Sequence, residues 1–314
     1  MMNRSFPAPS SISDAARRFI DEAVPLESIN TGLEALEAKR RELHSLYSPP
    51  GLGVQKALGV IVEEREIDGV TVKWVRPEMV RHPQVILYFF GGGHITGSPD
   101  EDLAITARIA HFTGRRVCVP AYRLAPEKPY PAALEDAMAV YQALLREFGA
   151  HSMALSGESA GGNLSLALIG AAAARGLDLP AAVALLSPWC DLTHSGDTIR
   201  TLDGIDPTLD LDHLLSHMAR AYAGGRPLAS PDISPLFADV AKGFPPTLIT
   251  TGTRDVLLSD CARLSTKLRR AGVNVDLRVT EGMWHVFEFY PQLPEAEDSI
   301  RGIATFLDKH LSPT

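Results

Sequence analysis

The stretch HSMALSGESAGGNLSLALIGAAAARG, residues 151–176, passes from an apolar, strand-like run through a glycine-rich turn into a long helical run. At its centre, Gly157-Glu158-Ser159-Ala160-Gly161 places a serine between two glycines in the strand–turn–helix setting that a nucleophile elbow requires. A serine on so tight a turn has strained dihedrals, and strand and helix nearly touch two positions to either side, which leaves room only for glycine. The start of the helix also turns its positive end toward any oxyanion forming beside Ser159. A plain strand–helix turn with a capping serine has the same pattern, so the surrounding sequence must decide.

Upstream, YFFGGGHITGS puts Gly91, Gly92 and Gly93 directly after the apolar run VILYFF, 85–90. A hairpin, a phosphate cradle and an oxyanion loop would each use such glycines. Further apolar runs flank these two motifs. LGVIVEEREI and VTVKWVRP read as a hairpin, and RVCVPAY, AAVALLSPW, PTLITTG and VDLRVT read as strands with helical sequence between most of them. Eight strands, mostly continuous in apolar character and alternating with helices, predict an α/β protein with a mostly parallel sheet covered on both faces. Two amphipathic helices, SISDAARRFIDEAV and TGLEALEAKRRELHSLY, occupy the first fifty residues, and YSPPGLG marks the change to strands. The segment from Thr193 to Phe244, rich in Asp, Pro and Gly, breaks the rhythm around one short helix, LDHLLSHMARAYAG, and reads as an excursion over the sheet.

Composition limits the partners. With 314 residues, 45% hydrophobic and 22% charged, the chain has enough apolar sequence for a large core and is not disordered. Thirty basic against 38 acidic residues give a formal charge of −8, which offers no general drive toward nucleic acid or an anionic membrane. The first residues lack the apolar segment of a signal peptide, and LALIGAAAA is too short to span a bilayer, so a cytoplasmic location is expected. Cys118, Cys190 and Cys261 are odd in number and lack metal-binding spacing, and they read as buried thiols.

A nucleophilic serine needs a base and a group that orients the base. His285, in EGMWHVFEFY, follows the last strand and comes late in the chain, as the order Ser, acid, His demands. Asp255 follows the strand that ends at Gly252, and Asp260 lies one helical turn beyond. Asp255 is preferred, because a residue on the loop after a strand can face the active edge whereas Asp260 falls inside the helix.

GGG after VILYFF, YRLAPEKPYPAALED, GESAGG, LSPWCDLT, TGTRDVLL and GMWH, in this order over residues 88–287, resemble the hormone-sensitive-lipase-like, or bacterial family IV, carboxylesterases of the α/β-hydrolase fold. The resemblance implies Ser159 as nucleophile, His285 as general base and then acid, and Asp255 as its orienting carboxylate. It also implies an oxyanion hole from the N–H groups of Gly92, Gly93 and Ala160, which is then the purpose of the three glycines. The implied layout is a helical cap part at 1–50, a first core part at 51–192, a cap excursion at 193–244 and a second core part at 245–314. The implied substrates are small esters of short to medium acyl length, with lactones and amides as alternatives, and the mechanism calls for no cofactor and no metal. A ligand-binding receptor on the same scaffold is a further alternative, against which all three triad residues are retained. A monomer, or a homodimer joined through the last strand, is expected.

Two positions depart from the family pattern: Phe90 stands where it usually has His, and Ala121 where it often has Asp. Either an apolar pair replaces a polar pair that supports the glycine loop, or Phe90 extends the core or lines the acyl pocket. His94 and Ile95 are candidates for the alcohol side of the pocket. Arg123 and Glu127 are expected to pair behind the glycines, Asp191 to fix a loop beside Trp189, and Glu158 to occupy a permissive middle position in the elbow.

Overall fold

The computed structural model describes residues 6–23 and 29–311. The expected cap part at 1–50 and core part at 245–314 therefore extend in places outside the described residues. Helices α1 (Asp14–Asp21) and α2 (Leu33–Leu58) come first, followed by the hairpin β1 (Val60–Ile67) and β2 (Val70–Pro77). Its turn is Asp68-Gly69, both with positive φ, which matches the strands' twist. Then β3 (Val85–Phe89), α3 (Leu103–Thr113), β4 (Arg116–Pro120), α4 (Ala132–Phe148), β5 (Met153–Glu158), α5 (Ser159–Ala174) and β6 (Ala182–Leu186) alternate. After an excursion carrying α6 (Thr198–Thr201) and α7 (Ser216–Ala223), the chain returns as β7 (Thr247–Gly252), α8 (Leu258–Arg270), β8 (Val275–Thr280) and α9 (Pro294–Leu311).

The eight strands form one sheet in the order β1-β2-β4-β3-β5-β6-β7-β8. Only the β1–β2 and β2–β4 pairs are antiparallel. This is the expected α/β-hydrolase architecture, and β3 through β7 are buried almost throughout because helices cover both faces. The register sets the chemistry. Phe89 pairs with Gly157, Gly157 with Leu185, and Gly252 with Thr280, so the carboxyl ends of β3, β5, β7 and β8 finish along one edge. The loops after those four strands carry Gly91–Gly93, Ser159, Asp255 and His285, respectively. In an open parallel sheet that edge is where ligands bind.

The break expected at YSPPGLG does not occur, and the expected change at residue 50 falls inside α2. The helix continues through Pro49 and Pro50 to a left-handed Gly59 at its C-terminus. Each proline forgoes a helical hydrogen bond, so packing must outweigh propensity there. Gly51 supplies the fit: a Cβ on it would lie 2.8 Å from the Leu103 side chain, so its bareness lets α2 lie directly on α3. At the other end, α1 is capped by Ser13 and held over the His285 loop by Phe19, whose ring stacks on Trp284 at 4.4 Å.

The expected Arg123–Glu127 pair is also replaced. Arg123 binds Asp136, at 2.9 Å through Nε, and Glu135 at 3.0 Å, both on α4. Glu127 is gripped by Arg40 of α2, whose Nε and Nη2 also donate to the carbonyls of Ile95 and Ala125. Fixing the loop behind the glycines thus falls to a residue of the N-terminal helices. Asp191 has its expected loop-fixing place, accepting from Thr193, Ser195 and Arg263. All three cysteines are free and buried. Among the described residues, no helix is long and apolar enough to cross a membrane.

Candidate active site

Ser159 opens α5 with φ of 50°, a left-handed value that a side-chain-bearing residue adopts at a cost of about 1–3 kcal/mol. The strain persists because the elbow is packed from both sides. A Cβ on Gly161 would fall on the main-chain carbonyls of Phe89 and Phe90. Any larger residue would therefore push α5 off β3. Ala160, the next residue, has its N–H in the unpaired first turn of the helix.

The glycine loop folds back on itself. Gly92 and Gly93 have φ of 90° and 63°, and the carbonyl of Gly92 accepts from the N–H groups of Ile95 and Thr96 and from the Thr96 hydroxyl. Among the described residues, the N–H groups of Gly92 and Gly93 have no acceptor. Both glycines line, with Ser159 and His285, a cavity of about 730 Å³. Backbone donors left bare beside a serine can hold a developing oxyanion.

His285 Nδ1 lies 3.2 Å from Asp255 Oδ1. Asp255 is fully buried and also accepts from the Thr251 hydroxyl and the N–H of Leu257, both at 2.8 Å. Burial opposes its charge, but the adjacent His285, then the Ser187 hydroxyl and the N–H of Leu257, outweigh burial and hold the carboxyl below the usual range. Burial likewise works against the imidazolium of His285, and the Asp255 carboxylate, then Asp206 and Glu288, more than compensate and raise its pKa. Asp260 belongs elsewhere: its carboxylate accepts the N–H groups of Cys190 and Asp191 at 3.0 and 2.8 Å, and burial pushes its pKa up to about 7.

Three expected lining residues are not among those that face the cavity. Phe90 is 1% exposed and stacks on Tyr122 at 4.2 Å, with the Tyr122 hydroxyl donating to the Phe90 carbonyl. Its partner is Tyr122 rather than Ala121, which is exposed at the strand end. Phe90→Ala should cost about 3–5 kcal/mol of stability, read from the denaturant midpoint. His94 and Ile95 are buried beneath the loop. His94, with φ of 62°, stacks on Tyr222 at 3.7 Å, and burial holds its pKa down at about 3, so it is neutral.

Glu158 is not in a permissive position either. Its buried carboxyl packs against Gly91, whose N–H it accepts, and burial with Asp102 nearby raises its pKa well above the usual range. The walls come from residues the sequence did not single out. Leu209, Leu214, Leu215 and Met218 of the excursion give the lining an apolar part, and Lys39, Leu43 and Tyr47 of α2 also line it. Helical spacing marks Leu43, Tyr47, Leu214, Leu215 and Met218 as parts of apolar faces without saying which cavity they close. Among the described residues, no group of three His, Cys, Asp or Glu side chains is arranged to hold a metal ion.

A family model described as the alpha/beta hydrolase fold matches residues 86–289. An acetyl-hydrolase from Streptomyces hygroscopicus is 35% identical over 239 residues, 76% of this chain and 79% of its own length. The crystal structure of an esterase, E25, superposes with a TM-score of 0.92 at 34% identity and covers 98% of this chain and 97% of that one. An esterase from the bacterial hormone-sensitive lipase family superposes at 0.83, also 34% identical, over 96% and 99% of the two chains.

Proposed function

Because this chain belongs to the hormone-sensitive-lipase-like family of α/β-hydrolase esterases, we propose that it hydrolyses short- to medium-chain carboxylic esters through an acyl-enzyme on Ser159. That it is a carboxylic ester hydrolase follows from its relatives; the residues and the acyl range are the proposal. The observation that carries it is the 3.2 Å approach of His285 to Asp255 in the cavity where Ser159 sits in a strained elbow.

In this reading His285 takes the Ser159 proton as the hydroxyl attacks the ester carbonyl, and Asp255 stabilises the imidazolium and fixes its tautomer. The N–H groups of Gly92, Gly93 and Ala160 receive the oxyanion, each contributing about 3–4 kcal/mol to the transition state. His285 then protonates the leaving alcohol, and water repeats the sequence on the acyl-enzyme. The raised pKa of His285 suits both roles, because the imidazole takes a proton readily yet is returned to neutrality by the leaving group.

The N-terminal helices and the 193–244 excursion act as the cap, since both supply cavity walls. The leucines and Met218 make an apolar side suited to an alkyl chain, and the acetyl specificity in the name of the Streptomyces relative favours the short end of the range. A Cβ on Gly93 would run into the Met218 side chain, so Met218 closes the space directly over the proposed oxyanion loop. Hydrolysis of p-nitrophenyl esters from acetate to decanoate should peak at a short or medium chain. Met218→Ala should then raise kcat/KM for the longer esters relative to acetate about tenfold. A folded protein inactive on the whole series would redirect the reading to lactones or amides. If the chain pairs with a second copy, the free edge of β8 is the strand it would use.

A further inference from the structure

We propose that Asp206 is a positioning residue for His285, holding the histidine's main chain in place and favouring its charged form during the reaction. Asp206 lies in the excursion between β6 and β7, remote in sequence from the triad, and is 4% exposed. Its Oδ2 accepts the N–H of His285 at 3.2 Å and the N–H of Val256, the residue after Asp255, also at 3.2 Å. Its Oδ1 accepts the N–H and the hydroxyl of Thr208, each at 2.9 Å.

A turn cap would need only the Thr208 contacts. The second oxygen is committed to the two loops that carry the acid and the base, so one carboxylate ties them together. The residues that follow, Pro207, Thr208 and Leu209, line the cavity. The wall that would touch substrate and the backbone of the histidine are therefore fixed by the same side chain.

The choice of a charged group matters, because a single asparagine oxygen would accept the N–H groups of His285 and Val256 without placing a second negative charge beside the Asp255 carboxylate. Burying a second carboxylate there is unfavourable until a positive charge appears. That charge is the imidazolium formed when His285 takes the proton from Ser159. The charged groups acting on His285 are Asp255 from the loop after β7, Asp206 from the excursion and Glu288 from the loop after β8. Burial and Asp255 raise the pKa of Asp206 to about 6 against the pull of His285, so near neutral pH it is largely ionised.

This inference rests on His285 being the base. The test compares Asp206→Asn, His285→Ala and the wild type, using p-nitrophenyl acetate across pH together with thermal unfolding. Losing an anion beside the imidazolium makes the imidazolium less stable, so the acidic limb of kcat/KM in D206N should move to lower pH by about one unit. Its kcat at neutral pH should fall about tenfold with KM nearly unchanged, as loss of an interaction made only in the transition state requires. An unshifted limb, or a fall in activity that only parallels a fall in Tm, would overturn the proposal and leave Asp206 a structural tie. Should D206N not fold, Asp206→Ser, which removes the charge with a smaller polar side chain, is read by the same criteria. An active H285A would instead overturn the assignment of the base, whereas an inactive H285A with an unshifted D206N limb overturns this proposal alone.

Discussion

Ser159→Ala is expected to lower the hydrolysis of p-nitrophenyl acetate by about 10⁴–10⁶-fold while the protein stays folded. The size follows from the way the proposed groups act together. Without a hydroxyl at residue 159, His285 has no proton to take and the N–H groups of Gly92, Gly93 and Ala160 have no tetrahedral adduct to hold. Substrate should still enter, because the apolar side formed by Leu209, Leu215 and Met218 is untouched. The loss should therefore appear in kcat, with KM little changed, and the unfolding midpoint should stay within a few degrees of the wild type. A drop of only a few-fold would mean that the serine in the elbow is not the nucleophile.

The two aspartates near the end of β7 should separate just as sharply. Asp255→Asn removes the charge facing His285 Nδ1 and lets the histidine settle in the wrong tautomer, so kcat should fall by about 10⁴ with little change in fold. Asp260→Asn acts elsewhere, since Asp260 accepts the N–H groups of Cys190 and Asp191. Its cost should be about 1–2 kcal/mol of stability, with kcat nearly unchanged. Parallel measurements of kcat and denaturant midpoints on the two variants distinguish a catalytic acid from a structural one. Equal losses of activity would show that the choice between them, made on loop placement and now supported by the contact with His285, is mistaken.

The sheet was legible in the sequence because each strand is a short apolar run bounded by loops or helical sequence, a pattern that needs no knowledge of distant partners. The placement of Ser159, Asp255 and His285 along one edge was legible for a related reason: each follows a recognisable strand, and a parallel sheet brings such positions to one edge whatever the loops do. Local strength misled at YSPPGLG, where the bare surface of Gly51 against α3 overrides two prolines. It misled again at Arg123 and Glu127, which are close in sequence yet pair with Asp136 and Arg40. Phe90, His94 and Ile95 sit where a pocket wall was expected, but stacking on Tyr122 and Tyr222 draws the two rings inward. Asp206 carries no local signal that separates it from an ordinary turn aspartate. Its second oxygen acquires meaning only when the excursion meets the loops after β7 and β8, and no spacing rule encodes that meeting.

The central claim is that Ser159 is an armed nucleophile. Incubation with a p-nitrophenyl alkylphosphonate, followed by intact mass and peptide mapping, tests it most directly. The account predicts one phosphonyl group per chain, located on Ser159, with esterase activity lost in proportion to labelling and no labelling of His285→Ala on the same timescale. A protein that remains unlabelled, or that is labelled at another residue while Ser159 stays free and activity disappears, would contradict it.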